Sequence, residues 1–325
     1  MRKLFIGVLL LAAGITTTYL TSCNNDGKQE ETQAAASKDS VEQVLKRGEY
    51  LALHVSGCMD CHSERDYTKY AGPVKPGTEG MGGEIFDQKH MGLPGTVYAR
   101  NITPDPETGI GAWTDEEILR AVTQGISRNG DTLFPLMPYA HYNHMAKSDL
   151  LSIIAYLRSL KPIKNKIPTR QLLMPVSMMY PAPALGPSVD GNVLPPATDP
   201  IAYGGYLTNA AGVCSECHTP MTPQGPDMTK MFAGGFTFDL EIFKVTSANI
   251  TPDSATGIGT WTEERFMTKF TNYRDEKNYS TNPGRQNTLM PMVSFAGMKD
   301  EDLKAIYAYL HTLKPISNKI EKYPK

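Results

Sequence analysis

Two copies of one short motif hold the residues whose types and spacing could do chemistry. Residues Cys58–His62 read Cys-Met-Asp-Cys-His, and residues Cys214–His218 read Cys-Ser-Glu-Cys-His. In a Cys-x-x-Cys-His motif the two thiols can add to the two vinyl groups of a porphyrin, and the adjacent histidine then ligates the iron. The motifs therefore predict two covalently attached haem c groups, each with its iron. The predicted attachment residues are Cys58, Cys61, Cys214 and Cys217, and the predicted proximal ligands are His62 and His218.

Two other kinds of site also use paired cysteines, and neither explains both motifs. A thioredoxin-like redox pair expects a βαβ context, which this sequence does not have. A Cys₄ zinc site would take one pair from each motif and leave His62 and His218 without a role. Covalent haem gives both cysteines and the histidine of each motif a function. The fifth cysteine, Cys23, stands far from both motifs, so none is left for a structural disulfide.

The second axial ligand of each iron is predicted to be a methionine. After its motif the second half has one further histidine, His311, whose counterpart is Arg158, so we expect it on a helix surface. The sequence Leu-Met-Pro recurs around Met137 and Met290, which are the predicted distal ligands. Histidine–methionine ligation fills both axial positions, as in an electron carrier. The rival ligands are His141, His144 and Met145 in the first half, and Met292 and Met298 in the second.

The motifs belong to a longer internal repeat. Residues 101–105 read Asn-Ile-Thr-Pro-Asp and recur as residues 249–253, and later blocks of each half recur in the same order. Such self-similarity indicates a duplicated domain. The predicted domains are residues 40–168 and 200–325, and the predicted Pro-rich linker is residues 169–199.

The same repeat aligns four polar side chains whose role the sequence leaves open. Trp113 and Trp261 are the only tryptophans, and they sit at equivalent positions, as do Asn101 and Asn249. A Trp N–H or an Asn amide could bind a haem propionate. Alternatively, these side chains hold the Asn-Ile-Thr-Pro loop on the core.

The pattern of caps and apolar residues predicts helices separated by long loops. Thr114 and Glu117 form a capping box at the start of one predicted helix. Residues 149–160 and 302–313 are amphipathic and end just before a proline. The Gly/Pro-rich loops between them are too long for an ordinary compact domain, unless they wrap a large prosthetic group. We therefore predict an all-α fold of two tandem domains with long haem-wrapping loops.

The N-terminus has the pattern of an export signal. A positively charged start precedes an apolar run at residues 4–15, which is too short to span a bilayer comfortably. The run leads to Leu-Thr-Ser-Cys, which resembles the lipobox of bacterial lipoproteins. The prediction is a signal peptide at residues 1–22, lipidation at Cys23 and a disordered tether at residues 23–39. The alternatives are an ordinary signal peptide or an uncleaved anchor.

The motifs and the repeated blocks resemble class I cytochrome c domains in tandem. The Asn-Ile-Thr-Pro-Asp block with its following Thr-Gly-Ile-Gly-x-Trp-Thr is similar to that of cytochrome c subunits of quinoprotein alcohol, gluconate and aldehyde dehydrogenases. The resemblance covers nearly all of residues 40–325. It implies the haem attachment and ligand residues given above. Subunits of that family commonly carry three haem motifs, whereas this chain has two.

These observations predict a dihaem electron carrier. The expected role is transfer of single electrons between a membrane or periplasmic donor and an acceptor of a respiratory chain. The expected partners are a redox protein and, through the lipid anchor, a bacterial membrane facing the periplasm or cell surface. The alternative is a dihaem enzyme that oxidises a small substrate such as thiosulfate, or reduces peroxide. A net charge of −2 with no concentrated basic patch excludes a nucleic-acid-binding class.

Overall fold

A computed structural model describes residues 40–87, 93, 95–179, 188–222, 225–240 and 242–325. Residues 42–325 form one compact unit. The predicted signal peptide, the lipidation site Cys23 and the tether all lie outside the described residues. No helix in the described ranges is long and apolar enough to cross a membrane.

The first half begins with a helix that leads directly into the first cysteine motif. Its helices are α1 (residues 40–50), α2 (Cys58–His62), α3 (Asp115–Gln124), α4 (Tyr139–Tyr142) and α5 (Lys147–Ser159). A π-helical turn, Leu51–Val55, extends α1 toward α2. The strands are β1 (Ile85–Phe86) and β2 (Gly95–Tyr98), and the segment after α5 carries β3 (Gln171–Leu172) and α6 (Val176–Met179).

The second half repeats this order of helices. They are α7 (Pro200–Tyr206), α8 (Cys214–His218), α9 (Glu263–Thr271), α10 (Met292–Ala296) and α11 (Asp300–Thr312). A π-helical turn, Leu207–Ala211, again precedes the cysteine motif. The strands are β4 (Met221–Thr222), β5 (Gly225–Pro226), β6 (Thr237–Leu240) and β7 (Phe243–Thr246).

The helix starts follow the capping pattern of the sequence. The Thr114 side chain accepts from the Glu117 N–H, and the Glu117 carboxylate accepts from the Thr114 N–H, which completes the predicted capping box of α3. At the equivalent α9, Thr262 caps the Arg265 N–H, but arginine cannot complete the box. The two equivalent helices therefore have unequal N-terminal caps.

A glycine at one repeated position lets two helices touch through their backbones. A Cβ added at Gly48 of α1 would lie 1.8 Å from the Ser152 carbonyl oxygen of α5. At the equivalent Gly204 of α7 it would lie 1.9 Å from the Ala305 carbonyl oxygen of α11. No other residue type fits this distance, so the glycine sets the crossing of the first and last helix in each half.

The all-α prediction is wrong, because only about 40% of the described residues are helical and several antiparallel sheets are present among them. Strands β1, β2 and β3 form one sheet in that order, and β4–β5 and β6–β7 form two hairpins. In the last hairpin Thr237 pairs with Thr246 and Leu240 with Phe243. The alternation of Thr-Phe-Asp-Leu and Phe-Lys-Val-Thr is a strand pattern.

The strands of these sheets lie in segments that were predicted to be irregular loops or linker. Phe238, Phe243 and Val245 are buried together in a cluster of their own, which stabilises the β6–β7 hairpin against Tyr67 of the first half. In the predicted linker, β3 pairs with β2 and so fixes the chain along the first half. The linker also contains the short helix α6, which starts after Pro175, where a missing N–H is tolerated.

The two halves share one core and are joined by a reciprocal pair of contacts. The Tyr50 hydroxyl donates to the Asp302 carboxylate at 2.5 Å, and the equivalent Tyr206 hydroxyl donates to Asp149 at 2.7 Å. Each tyrosine lies in one half and its aspartate in the other. Both aspartates are buried, with 2% of Asp149 and 4% of Asp302 exposed. This exchange is what an isologous two-fold interface produces between identical subunits, here between two copies within one chain.

Candidate cofactor-attachment sites

The two cysteines of each motif lie three residues apart on a one-turn helix and therefore share a face. All four thiols are free rather than joined in disulfides. Burial raises the pKa of the Cys58 and Cys214 thiols to about 12, so both are neutral thiols. A redox dithiol instead needs a lowered thiol pKa. In the described part of the chain no three His, Cys, Asp or Glu side chains cluster as metal ligands.

The residue before the first cysteine has a left-handed backbone conformation in both motifs, but its type differs between the halves. Gly57 precedes the first cysteine of α2 with φ of 60°, in the left-handed region. The equivalent residue before α8 is Val213, with φ of 46°. A β-branched residue is strained there. Glycine is the natural choice, so the second motif is held in place against a local strain that the first motif avoids.

Each proximal histidine has one ring nitrogen fixed and the other left for a metal. The Nδ1–H of His62 donates to the Arg100 carbonyl at 2.6 Å, and that of His218 donates to the Ala248 carbonyl at 2.7 Å. A carbonyl only accepts, so Nδ1 carries the proton and Nε2 keeps its lone pair. Burial lowers the pKa of both imidazoles, which favours the neutral form that ligates iron.

The repeated asparagines brace the loop that supplies these carbonyls. The Asn101 amide donates to the Thr108 hydroxyl at 3.0 Å and to the Ile163 carbonyl at 2.7 Å. Its oxygen accepts from the N–H and the hydroxyl of Thr103. Asn249 makes the matching four contacts in the second half. Each of these amide nitrogens thus donates to two acceptors inside the protein.

The two tryptophans are tied to the last helix of their own half. The Trp113 carbonyl accepts from Arg158 of α5 at 2.7 Å, and the Trp261 carbonyl accepts from the Tyr307 hydroxyl of α11 at 2.9 Å. Both rings are partly buried and pack on the core. The Arg265 guanidinium lies over the Trp261 ring at 4.5 Å, a cation–π arrangement in the second half.

The predicted distal methionines differ in burial from their methionine rivals. Met137 and Met290 are partly buried and pack against the core cluster. Each lies just before a short helix: the Tyr139 N–H donates to the Met137 carbonyl, and the Met292 N–H to the Met290 carbonyl. The rivals Met145, Met292 and Met298 are almost wholly buried within the core, with 0%, 3% and 4% exposed.

The histidine rivals are placed less favourably for iron ligation. Both ring nitrogens of His141 are engaged, with the Asn209 carbonyl at 2.8 Å and the Glu216 carboxylate at 2.6 Å. His144 is exposed. His311 is half-buried rather than on the surface: its ring packs on Tyr307 with centroids 4.0 Å apart, and its buried Nε2 has no hydrogen-bond partner among the described residues.

The residues that join each motif to the other half were not predicted from the sequence for that role. The Ser294 hydroxyl donates to the Asp60 carboxylate at 2.9 Å, and Glu216 bonds His141. Asp60 and Glu216 occupy the same motif position, and Ser294 and His141 follow the two predicted distal methionines at the same spacing. The acidic residue in both motifs was the available signal, but its partner lies more than 70 residues away in sequence.

The geometry fits a haem held by thioethers and a histidine at each motif. The thiols are free and share a face, and the histidine presents Nε2 while Nδ1 is fixed. This arrangement holds in both halves with equivalent residues. The bound group would supply an iron that changes oxidation state by one electron.

Comparison with known proteins gives similar proteins along most of the chain. Residues 206–314 match the family model for cytochrome c. The cytochrome c subunit of a quinone alcohol dehydrogenase from Gluconobacter oxydans (strain 621H) is 32% identical over 301 residues, which cover 86% of this chain and 57% of that protein. The gluconate 2-dehydrogenase cytochrome c subunit of Pantoea cypripedii is 29% identical over 291 residues, with 86% and 62% covered.

The alignment with a third relative covers a larger share of that protein than the two alignments above. The diheme cytochrome c-type protein of Cereibacter sphaeroides is 29% identical over 272 residues, which cover 81% of this chain and 84% of that protein. This chain spans less than two thirds of the two dehydrogenase subunits described above.

Proposed function

We propose that this chain, which carries a cytochrome c domain and is homologous to cytochrome c subunits of dehydrogenases, transfers single electrons through two covalently bound haems. The observation that carries the proposal is the pair of histidine–carbonyl bonds, His62 to Arg100 and His218 to Ala248. They occur at equivalent positions in both halves and leave Nε2 free beside free thiols. A cytochrome c domain indicates covalently bound haem c; the count of two is our proposal.

The chain's residues would hold each haem and tune it. Cys58 and Cys61 form the thioethers of one haem, and His62 is its proximal ligand. The carbonyl that accepts from each histidine makes the imidazole a better donor to iron. The second haem is held in the same way by Cys214, Cys217 and His218. We propose Met137 and Met290 as distal ligands, which would close both axial positions and favour electron transfer over peroxide chemistry.

The partner is proposed to be a redox protein. The relatives are named as subunits of alcohol and gluconate dehydrogenases, so a dehydrogenase subunit is a natural electron donor. The acceptor would belong to a respiratory chain. We further propose export and a lipid anchor at Cys23, which would keep the protein at a bacterial membrane on the periplasmic side or cell surface. Support for the anchor is the sequence Leu-Thr-Ser-Cys alone.

Replacement of the distal ligands tests the proposed coordination. Met137→Ala and Met290→Ala should each remove about half of the near-infrared band of methionine–iron bonds and lower the reduction potential of one haem, because a thioether ligand is lost. Met228→Ala is the control, since that side chain is 62% exposed and lies in no predicted site. An unchanged band in either test variant would rule out that methionine as a ligand.

A reduction assay separates the carrier from the enzyme. A carrier should stay oxidised when mixed with thiosulfate and should not turn over peroxide, but should be reduced quickly by a dehydrogenase with its substrate. Reduction by thiosulfate in the absence of a second protein, or peroxide consumption, would favour the dihaem enzyme.

A further inference from the structure

The attachment helix of the first half contacts the segment that follows Met290 in the second half. The Ser294 hydroxyl of α10 donates to the Asp60 carboxylate of α2 at 2.9 Å. The Ser294 carbonyl also accepts from His54 at 2.9 Å, in the π-helical turn before α2. Only 8% of Asp60 is exposed, and its carboxylate also lies 3.8 Å from the buried Arg65 guanidinium of its own half.

The attachment helix of the second half makes the matching contact with the segment that follows Met137. His141 of α4 bonds the Glu216 carboxylate of α8 at 2.6 Å. The other ring nitrogen of His141 donates to the Asn209 carbonyl at 2.8 Å, in the π-helical turn before α8. The two sets of contacts are equivalent in position, although the residue types differ.

The helices that receive these contacts are too short to be stable alone. Helix α4 has four residues and α10 has five, and neither has a side-chain N-terminal cap. A helix of one turn gains almost nothing from its own hydrogen bonds, so its stability comes from what it packs against. For both helices that support includes the cysteine motif of the opposite half.

The position of these helices matters because each directly follows a proposed distal ligand. The N–H of Tyr139 donates to the Met137 carbonyl, and the N–H of Met292 donates to the Met290 carbonyl at 2.7 Å. A helix that shifts carries its methionine with it. A methionine–iron bond is retained only while that backbone is held.

We propose that Glu216 and Asp60 are positioning residues that act across the two halves: each cysteine motif holds the distal-methionine segment of the other half. The axial methionine of one haem is therefore retained by the attachment helix of the other haem. This inference rests on the proposed histidine–methionine ligation, and it makes the ligand state of each haem depend on both halves.

The variant that tests this most cleanly is Glu216→Ala, since Glu216 is 46% exposed and its loss should not unfold the protein. Imidazole binds a ferric haem of this type only after the methionine leaves. We expect imidazole to bind the first-half haem about tenfold faster, the order expected for a lost hydrogen bond to a charged group. The second-half haem, which carries the mutation in its own motif, should bind imidazole at the wild-type rate. Met137→Ala and Met290→Ala assign the two haem signals.

Three further variants distinguish a local effect on one distal-methionine segment from a general destabilisation of the protein. Glu216→Gln keeps an acceptor for His141 and should recover most of the wild-type rate. Ser294→Ala removes the other cross-half bond and leaves the buried Asp60–Arg65 pair in place, so it should give the reciprocal result, with faster binding at the second-half haem. Glu276→Ala is the matched control, because Glu276 pairs with Lys69 across the halves at 3.1 Å without touching either distal segment. It should change neither haem.

Hydrogen–deuterium exchange gives a second readout that does not depend on the iron ligands. In Glu216→Ala, backbone exchange over residues 139–146 should be about tenfold faster, with residues 292–298 unchanged. If the wild-type protein lacked methionine ligation, the proposed iron coordination would be wrong. The exchange pattern would still show whether Glu216 holds the segment that follows Met137. Equal effects in both segments, an effect confined to residues 292–298, or no effect would overturn the inference.

Discussion

At the scale of single residues, the Asn-Ile-Thr-Pro-Asp block fixes the proximal histidines. Its asparagine braces the loop whose preceding carbonyl accepts from the histidine Nδ1–H. The thiols and histidines could be predicted from sequence because the chemistry of Cys-x-x-Cys-His is contained in five consecutive residues. Contacts such as Ser294 to Asp60 could not, because they join residues that only the folded chain brings together.

The last residue of the block gives the first prediction at this scale. Thr108 donates its hydroxyl and its N–H to the Asp105 carboxylate, which lowers the Asp105 pKa from 3.8. Asp253 is held in the same way by Thr256. A carboxyl whose pKa is lowered by folding stabilises the fold when the pH is above its pKa in the unfolded state. This stabilisation is lost as the pH falls through its pKa in the folded state.

Asp105→Asn and Asp253→Asn should therefore lower the free energy of unfolding at neutral pH, and this difference should shrink as the pH falls below 3.8 and through the lowered folded-state pKa of each carboxyl. Urea unfolding across this pH range measures the difference. Asp239→Asn is a suitable control, since Asp239 is an exposed carboxylate that pairs with Lys244 of the same hairpin. A stability difference that persists at low pH would contradict the linkage.

At the scale of elements, helices with caps and proline stops were predictable and short strands were not. The capping box of α3 is a local pattern, whereas β1, β2 and β3 are two to four residues long. A two-residue strand carries no readable period, so its pairing is set by tertiary packing. The β6–β7 hairpin did carry an alternating pattern, which the expectation of haem-wrapping loops obscured.

The glycine at each helix crossing gives the prediction at this scale. Gly48→Ala and Gly204→Ala should each lower the free energy of unfolding by about 1–3 kcal/mol, because the added methyl forces the helix backbones apart. Thermal and urea unfolding measure the loss. Gly191→Ala is the control, since a Cβ there meets nothing within 4 Å. A test variant as stable as that control would show that the helices separate freely.

At the scale of the whole molecule, two similar halves are joined by reciprocal contacts into one core. The duplication was readable from the repeated blocks, and the order of helices recurs in both halves. The manner of joining was not readable, because Tyr50 and Asp302 are joined across 252 residues of sequence. The predicted boundaries at residues 168 and 200 stay predictions, and residues on both sides of them contribute to the same core cluster.

The reciprocal contacts are unequal in strength, which gives the prediction at this scale. Both carboxylate oxygens of Asp149 accept from Arg47, at 2.9 and 2.7 Å. These two bonds would therefore remain when Tyr206 loses its hydroxyl. In the described part of the chain no second side chain bonds the Asp302 carboxylate. Tyr50→Phe should therefore lower the free energy of unfolding by about 1–3 kcal/mol, and Tyr206→Phe by distinctly less.

Urea unfolding of the two variants and of the double variant tests this asymmetry. The two losses should add in the double variant if the two contacts are independent. An equal loss in both single variants would mean that Arg47 does not support Asp149 as the geometry indicates.

The central claim is that each half binds one haem through thioether bonds. The most direct measurement is the intact mass of the denatured protein, after expression with functional cytochrome-maturation machinery. The account predicts a mass increased by two haems, falling to one haem in Cys58→Ala/Cys61→Ala and in Cys214→Ala/Cys217→Ala. A polypeptide with no added mass, or pigment that is lost on acid–acetone extraction, would contradict it.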